Sequence, residues 1–380
     1  NENKNFLWKG IHTMQITVNR SDMTEAVSNI QRAVSSKTSV PALEGILLTA
    51  QEENLELCAY DLELGMTTVI PAKVKEPGKA VLSAKLFSDI VRKTPADTIS
   101  IDVDEKNMAT IESGVSRFSI IGIPAEEFPE LPKVDDGKNI SLAGSVLKSM
   151  IRQTVFAVAE SDAKPIHQGS LFSMDDGLLD VVAVDGYRLA KRTESIDFKE
   201  KLSFVVPGKT LSEVLRLLKD SEELIGLYAG KRHIIFKIDN YTVISSLLEG
   251  EFLNYKATIP SGSKTTVVMR SREAIESVER VSLLINDRIK SPIRCVFSNS
   301  EIKLLCTTSM GRASDQISAS MEGEELEIGF NNRYLLDALR NTECDEIKVG
   351  LSGPLSPMTI SPKEGESFLF LVLPVRLKND

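Results

Sequence analysis

Apolar positions along the chain follow one succession of patterns, and this succession occurs three times. Each third begins with an alternating run, which predicts a strand, and continues with apolar residues spaced three and four apart, which predict an amphipathic helix. The apolar faces of these three helices are Met23, Val27, Ile30 and Val34, then Leu147, Ile151, Val155 and Val158, then Ala274, Val278, Val281 and Ile285. A period this long indicates tandem domains, each with its own core, rather than solenoid repeats.

The later part of each third repeats as well. A proline precedes a run of alternating strands, and a second helix is predicted to begin near Lys85, Lys209 and Asn332, which are 124 and 123 residues apart. Clusters of proline and turn residues at 124–132 and 259–264 mark the junctions. We therefore predict an α+β protein made of three tandem copies of a two-helix domain with mostly antiparallel sheet. The predicted divisions are an N-terminal extension at 1–13 and domains at 14–132, 133–260 and 261–380.

Composition excludes several classes of protein. The chain has 380 residues, 42% of them hydrophobic, which is ordinary for a globular protein and argues against disorder. Neither a membrane span nor a secretory signal is apparent. The four cysteines lack metal-site spacing and the three histidines are scattered, so we predict no metal, no cofactor and a reducing, cytoplasmic location.

The net charge of −9 argues at first against a nucleic-acid partner, but the charge is unevenly distributed. Windows around the six predicted helices hold 18 Lys and Arg against 9 Asp and Glu, whereas the remaining chain holds 27 against 45. Helices gathered on one surface would make that surface basic and suited to a phosphate backbone. The alternative is a set of ordinary surface helices with mixed charge, and the helix with Glu273, Glu276 and Glu279 fits that alternative.

Few residues suggest catalysis. Asp102, Asp104 and Asp185 could serve a hydrolase, but the motif glycines are missing and histidine is nearly absent, so we predict a protein that is not an enzyme. Two segments indicate a binding surface instead. In 185–190, Tyr187 and Arg188 flank Leu189 and could act as surface anchors, and the apolar segment 370–377 could form part of a groove. The alternatives are an ordinary turn in the first segment and packed core in the second.

The threefold repeat and three segments together carry a family resemblance. These segments are Asp-Gly-Tyr-Arg-Leu-Ala at 185–190, Leu-Pro-Val-Arg-Leu at 373–377, and Ile-Arg-Gln-Thr-Val-Phe-Ala at 151–157. From Met14 to Leu377 the chain resembles the bacterial DNA polymerase III beta subunits, the sliding clamps. This resemblance implies a head-to-tail homodimer whose six domains close into a ring, with helices lining the hole and sheets forming the outside.

The resemblance also implies three sets of site residues. Sequence-independent contacts to DNA are expected from Lys37, Lys85, Arg92, Ser161, Lys164, Lys209 and Arg216. A groove for partner peptides is expected from Lys164, Ile166, His167, Val184, Gly186, Tyr187, Arg188, Leu189, Leu253, Thr258, Leu371, Leu373, Pro374, Val375, Arg376 and Leu377. The dimer contact is expected at Phe87, Ile90, Arg117, Leu283 and Leu284. His167 stands where relatives often carry Leu, and Leu253 where some carry Pro.

The leading hypothesis is a processivity factor that encircles duplex DNA and tethers the replicative polymerase. The expected partners are double-stranded DNA, the polymerase, a clamp loader and other proteins with clamp-binding peptides, with no membrane. The alternative is a peptide-binding adaptor that does not encircle DNA.

Overall fold

The structure is a computed structural model that describes residues 12–35, 38–134, 137–161, 163–286, 289 and 291–377. The described chain forms two compact units. One contains residues up to 141 together with 224–246, and the other contains 142–223 together with the residues from 247 onward. Among the described residues, no helix is long and apolar enough to cross a membrane.

The described residues contain six α-helices. They are α1 (Arg20–Ile30), α2 (Ala84–Lys93), α3 (Gly144–Val155), α4 (Gly208–Leu217), α5 (Ser271–Ser282) and α6 (Asn332–Arg340). They pack in three pairs, α1 with α2, α3 with α4, and α5 with α6, as two helices per repeat predict. Asparagine side chains cap the N-termini of two of these helices. Asn19 accepts a hydrogen bond from the backbone amide of Ser21 in α1, and Asn331 accepts hydrogen bonds from the backbone amides of Arg333 and Tyr334 in α6.

The first unit is built on one antiparallel sheet. Its strands are β1 (His12–Asn19), β2 (Gly45–Gln51), β3 (Asn54–Tyr60), β4 (Leu64–Glu76), β5 (Gly78–Ser83), β6 (Thr98–Asp104), β7 (Met108–Ser113), β8 (Ser116–Ile121), β9 (Lys138–Ala143), β14 (Leu224–Ala229), β15 (His233–Ile238) and β16 (Tyr241–Ser246). They run in the order β8-β7-β6-β1-β4-β16-β15-β14-β9, with β3 also paired to β4, β2 to β3, and β5 to β2.

The second unit is also built on one antiparallel sheet. Its strands are β10 (Gly169–Asp175), β11 (Leu178–Val184), β12 (Arg188–Ser195), β13 (Leu202–Pro207), β17 (Thr265–Arg270), β18 (Ile293–Phe297), β19 (Glu301–Thr308), β20 (Gly311–Glu322), β21 (Leu326–Phe330), β22 (Glu346–Leu351), β23 (Met358–Pro362) and β24 (Phe368–Val372). Their order is β13-β10-β11-β12-β24-β23-β22-β17-β20-β19-β18-β21.

Strand pairing crosses the divisions predicted from the repeat. β16, from the middle third, pairs with β4 of the first third, and β12, also from the middle third, pairs with β24 near the C-terminus. Each sheet therefore joins strands from two repeats. This joining satisfies the backbone hydrogen bonds of strands that would otherwise be exposed sheet edges.

Candidate partner groove and DNA-facing helices

Strands in one part of the second unit are apolar on both faces. Residues 181–184 of β11 and 188–190 of β12 are buried without alternation. Ala183, Ala190 and Phe370 belong to the core beneath α3 and α6. Their neighbours in sequence point to the opposite face of the sheet, because successive side chains of a strand alternate. That second face carries the predicted groove, and short 3₁₀ helices contribute residues to it.

The second face forms a compact apolar cluster, which we call the groove floor. Its buried members are Leu171, Val182, Val184, Leu189, Val205, Tyr255 and Leu371, and Ile166, Leu248, Phe252 and Ile259 pack against them. Val184, Leu189, Leu371 and Ile166 were predicted, and the structure brings all four together. The remaining members come from strands and loops that carry no site motif, so the sequence offered no signal to select them.

The turn before β12 shapes one side of the groove. The Asp185 carboxylate accepts hydrogen bonds from the amides of Tyr187 and Arg188, at 2.8 and 3.0 Å. Gly186 between them has a φ of +92°, a conformation that favours glycine. This geometry turns Tyr187 outward, where it is 60% exposed and its ring stacks on Tyr334 with centroids 5.7 Å apart.

Arg188 is not the exposed anchor that the sequence suggested, because only 6% of the residue is accessible. Its Nε donates to Asp185 at 2.9 Å and its Nη1 donates to Asp337 of α6 at 2.5 Å. The guanidinium also lies 4.7 Å from the ring centroid of Tyr334. Two carboxylates and an aromatic face compensate the burial of the charge. Arg188 therefore holds the turn against α6, and Tyr187 is the aromatic residue presented at the surface.

The C-terminal tail, residues 373–377, begins beside the groove turn and continues along β21, and backbone hydrogen bonds hold it. The amide of Leu373 donates to the carbonyl of Tyr187 at 2.9 Å, and the amide of Val375 donates to that of Gly329 at 2.8 Å. A Cβ at Gly329 would lie 2.6 Å from Cδ2 of Leu377 and 2.8 Å from the carbonyl oxygen of Val375. The tail consequently depends on a glycine at the end of β21, which sequence reasoning did not single out.

His167 lies buried in a short 3₁₀ helix, Pro165–Gln168, at the edge of the groove floor. Its ring meets Phe252 edge-on, with centroids 5.5 Å apart. Burial, and secondly the positive charge of Lys164, lower the pKa of His167. The histidine therefore contributes to the groove as a neutral aromatic ring.

A second 3₁₀ helix, Tyr255–Thr258, covers the other edge of the floor. The Tyr255 hydroxyl donates to Asp180 at 2.8 Å, and burial, followed by this carboxylate, raises the tyrosine pKa. The Asp180 carboxylate of β11 also accepts a hydrogen bond from Thr193 of β12 at 2.7 Å. One half-buried acid therefore joins this 3₁₀ helix to two strands. The remaining predicted residues surround the floor: Lys164, Leu253, Thr258, Leu373, Val375 and Arg376 are exposed, and Pro374 and Leu377 are half-buried.

The predicted DNA contacts fall on helix faces and loops. Lys85 and Arg92 are exposed on α2 and Lys209 and Arg216 on α4, and both pairs are seven residues apart. Seven residues make two helical turns, so each pair lies on one face. Ion pairs join Arg92 to Asp89 at 2.7 Å and Arg216 to Glu213 at 3.5 Å. Ser161 and Lys164 are exposed, and Lys37 lies outside the described residues.

The helices of the C-terminal third carry mostly paired charges. Arg272 bonds Glu276 at 2.8 Å, Arg280 bonds Asp315 at 2.5 Å, and Arg340 bonds Glu279 at 2.6 Å. Here the alternative of ordinary surface helices with mixed charge describes the surface better than a basic lining does. Arg92 and Arg216 are ion-paired too, so pairing alone does not set α2 and α4 apart. What distinguishes α2 is its composition, because it holds three basic residues against one acidic residue.

The predicted dimer contacts divide into exposed and buried residues. Phe87 is fully buried and Ile90 is nearly so, because both face the core from α2. Neither presents side-chain surface to a partner, and on α2 the exposed apolar residue is Leu86. Arg117 is exposed on β8, Leu284 is half-buried, and Leu283 is 83% exposed just after α5.

The carboxylates considered for catalysis have structural partners. Asp102 accepts a hydrogen bond from the Gln15 side chain at 3.0 Å, and Asp104 accepts from the amides of Lys106 and Met108 in a turn. Asp185 caps the turn described above. Within the described ranges, no group of three His, Cys, Asp or Glu residues is placed to hold a metal ion.

Comparison with known proteins decides the family. Models of the N-terminal, central and C-terminal domains of the DNA polymerase III beta subunit match residues 14–132, 141–254 and 256–376 in succession. The chain belongs to the DNA polymerase III beta subunit family.

Similar proteins include the beta sliding clamp of Bacillus subtilis (strain 168), which is 33% identical over 376 residues, covering 96% of this chain and 100% of that protein. The crystal structure of the Bacillus subtilis sliding clamp aligns with a TM-score of 0.92 at 32% identity, covering 96% of this chain and 100% of that one. A Pseudomonas aeruginosa sliding clamp bound to griselimycin aligns with a TM-score of 0.89 at 28% identity, with the same two coverages.

Gly329→Ala should detach the C-terminal tail, because the added methyl group meets Leu377 and the Val375 carbonyl. We expect the Val375 amide to exchange its hydrogen markedly faster, measured by hydrogen exchange with NMR or mass spectrometry. Gly262→Ala is the matched control, since nothing lies within 4 Å of a Cβ there. Unchanged exchange at Val375 in the Gly329 variant would show that the tail is held in another way.

His167→Leu should weaken the pH dependence of stability. The unfolded histidine takes up a proton near pH 6.5, whereas the lowered pKa delays protonation in the folded state. The unfolded state therefore binds more protons, and the free energy of unfolding falls as the pH drops below about 6.5. Urea midpoints at about pH 7.5 and about pH 5.5 should differ less in the variant than in the parent. The pKa of His233 is also lowered, but that residue is present in both proteins. Equal pH dependence would contradict the buried neutral state of His167.

Proposed function

We propose that this protein is a DNA sliding clamp, a processivity factor that encircles duplex DNA and tethers a replicative polymerase. The observation that carries the proposal is the succession of three beta-subunit domain matches from residue 14 to residue 376. Relatives named beta sliding clamps cover 96% of the chain, and the fold aligns with solved clamps over the same share.

DNA is held without sequence readout. The basic pairs Lys85 with Arg92 and Lys209 with Arg216 each present two charges on one helix face, which suits successive phosphates of a backbone. A ring retains DNA by topology, so each contact can be weak and no position on the duplex becomes a trap. The excess of acidic residues outside the helical windows would keep DNA away from other surfaces.

The ring forms from two chains joined head to tail. The C-terminal third would supply Leu283, which is 83% exposed, together with Leu284. The N-terminal third would supply Arg117 on the edge strand β8, and Leu86 in place of the buried Phe87 and Ile90. An exposed strand edge and exposed leucines are the features that an interface between copies covers.

Partners would bind as short peptides in the groove. Its floor is apolar, and exposed Tyr187, Leu253, Leu373 and Val375 surround it. A peptide with apolar anchors could bury these side chains. Backbone hydrogen bonds of the tail hold two of them, Leu373 and Val375, in place. The polymerase, a clamp loader and other proteins with such peptides would compete for one groove per chain. We assign the protein no catalytic role and place it in the cytoplasm with the replicated DNA.

Topological binding predicts a specific response to cutting the DNA. When the protein is loaded onto nicked circular DNA by a clamp loader, it should stay bound through gel filtration and be lost after the circle is linearised. DNA blocked at both ends by bound protein is the control, and it should retain the ring. Retention on open linear DNA would favour an adaptor bound by contacts, and would contradict the clamp.

Deleting Pro374–Leu377 should abolish binding of a clamp-binding peptide from the polymerase, because this tail is expected to form part of the groove. The dimer should stay intact, because the deletion removes none of the residues assigned to the dimer contact. Fluorescence polarisation measures the affinity for the peptide, and analytical ultracentrifugation measures whether the protein is a dimer. Leu355→Ala, at an exposed turn, is the control and should bind normally. Unchanged peptide affinity in the deletion would show that the groove is elsewhere.

A further inference from the structure

The first repeat contains a second copy of the groove floor. An apolar cluster in the first unit consists of Ala42, Leu43, Cys58, Tyr60, Val81 and Phe128, with Val40, Leu47, Ile123 and Leu131 packed against it. Moving each position by the repeat length of 124 residues gives Ile166, His167, Val182, Val184, Val205, Phe252, Lys164, Leu171, Leu247 and Tyr255. Most of these residues belong to the groove of the second unit. The two clusters are therefore equivalent surfaces of two repeats.

The turn beside each cluster is built in the same way. The Asp61 carboxylate accepts from the amides of Glu63 and Leu64 at 3.0 and 2.7 Å, as Asp185 does from those of Tyr187 and Arg188. The amide of Ser246 donates to the carbonyl of Glu63 at 2.8 Å, as Leu373 does to Tyr187. The first repeat thus keeps the backbone frame that forms one side of the groove.

The two turns differ at one position, where the first repeat has a leucine in a backbone conformation that favours glycine. Leu62 occupies the place of Gly186, with a φ of +76° against +92° for the glycine. A leucine is disfavoured in this conformation, and its side chain is 52% exposed, so the chain's own core offsets little of that cost. The side chain instead extends from the turn as an apolar projection next to the cluster.

The charge around the two clusters differs as well. The turn and the segments that carry the first cluster hold six carboxylates: Glu44, Asp61, Glu63, Glu126, Glu127 and Glu130. The equivalent positions in the second repeat are Gln168, Asp185, Tyr187, Gly250, Glu251 and Asn254, and Lys164 there replaces Val40. An apolar floor thus has an acidic surround in the first repeat and a much less acidic one in the second. Such a surface is complementary to a positively charged peptide.

We infer that the first repeat carries a second docking surface, centred on Leu62, for a lysine- or arginine-rich peptide segment with an apolar anchor. The apolar anchor packs against Leu62 and the edge of the cluster, and the basic residues pair with the surrounding carboxylates. Because the charges differ, this surface and the groove would take different partners, and one chain could hold two partners at once. The inference rests on the internal repeat and does not require that the protein encircle DNA.

The test uses the full chain and two fluorescent peptides, KKGLSWGKK and its acidic counterpart EEGLSWGEE, in fluorescence polarisation at low salt. We expect the basic peptide to bind and the acidic peptide not to bind. Leu62→Gly should raise the dissociation constant of the basic peptide by about tenfold or more. It should also leave the thermal midpoint unchanged or raise it, because glycine adopts the positive φ without strain. A loss of binding without a loss of stability distinguishes docking from a structural role of Leu62.

Two further variants assign the site. Glu63→Gln combined with Glu130→Gln should lower the affinity for the basic peptide and reduce the salt dependence of its binding. Tyr187→Ala, in the groove of the second repeat, should leave the affinity for the basic peptide unchanged and lower the affinity for the polymerase peptide. Equal binding of the two charged peptides, full binding to the Leu62 variant, or loss of binding in the Tyr187 variant would each overturn the inference. The polymerase peptide reports on the groove separately, so failure here is distinguishable from failure of the proposed function.

Discussion

The partner groove depends on strands that are apolar on both faces in a sheet that has helices on one face. Antiparallel sheets usually turn a polar face to water, but residues 181–184 and 189–190 are apolar and buried on both faces. The second face must therefore be covered, and residues of two short 3₁₀ helices pack against part of it. The exposed apolar residues Tyr187 and Val375 beside it are the surface that the proposed partner peptide would cover.

Arg188 connects this groove to α6. Its buried guanidinium pairs with Asp185 in the turn and with Asp337 in the helix, and it lies over the ring of Tyr334, which also stacks on Tyr187. Removing one partner would leave a buried charge uncompensated, so the arrangement holds the turn in a defined position. The rim residue that a peptide would meet first is therefore oriented by contacts from another part of the chain.

The duplicated frame shows how one fold can carry different chemistry. The two turns share their aspartate cap and their backbone hydrogen bond, yet one presents glycine and tyrosine and the other leucine and glutamate. Backbone hydrogen bonds maintain the frame whatever the neighbouring side chains are, so those side chains can change without loss of the turn. Tandem repeats in this way provide related surfaces whose charge and shape can differ.

The sequence by itself determined the repeat, the helix and strand types and the family, because periodic apolar positions and short motifs are local properties. It also placed Val184, Leu189 and Leu371 in one groove through resemblance. The burial of Arg188 and Phe87 was decided by the tertiary structure, since an arginine or a phenylalanine can lie inside or outside depending on residues far away in the chain. Asp337, Tyr334 and Gly329 could not be selected beforehand for the same reason. Their roles arise from contacts with residues more than 45 positions away in the sequence. A local sequence pattern cannot predict which distant residue will make such a contact.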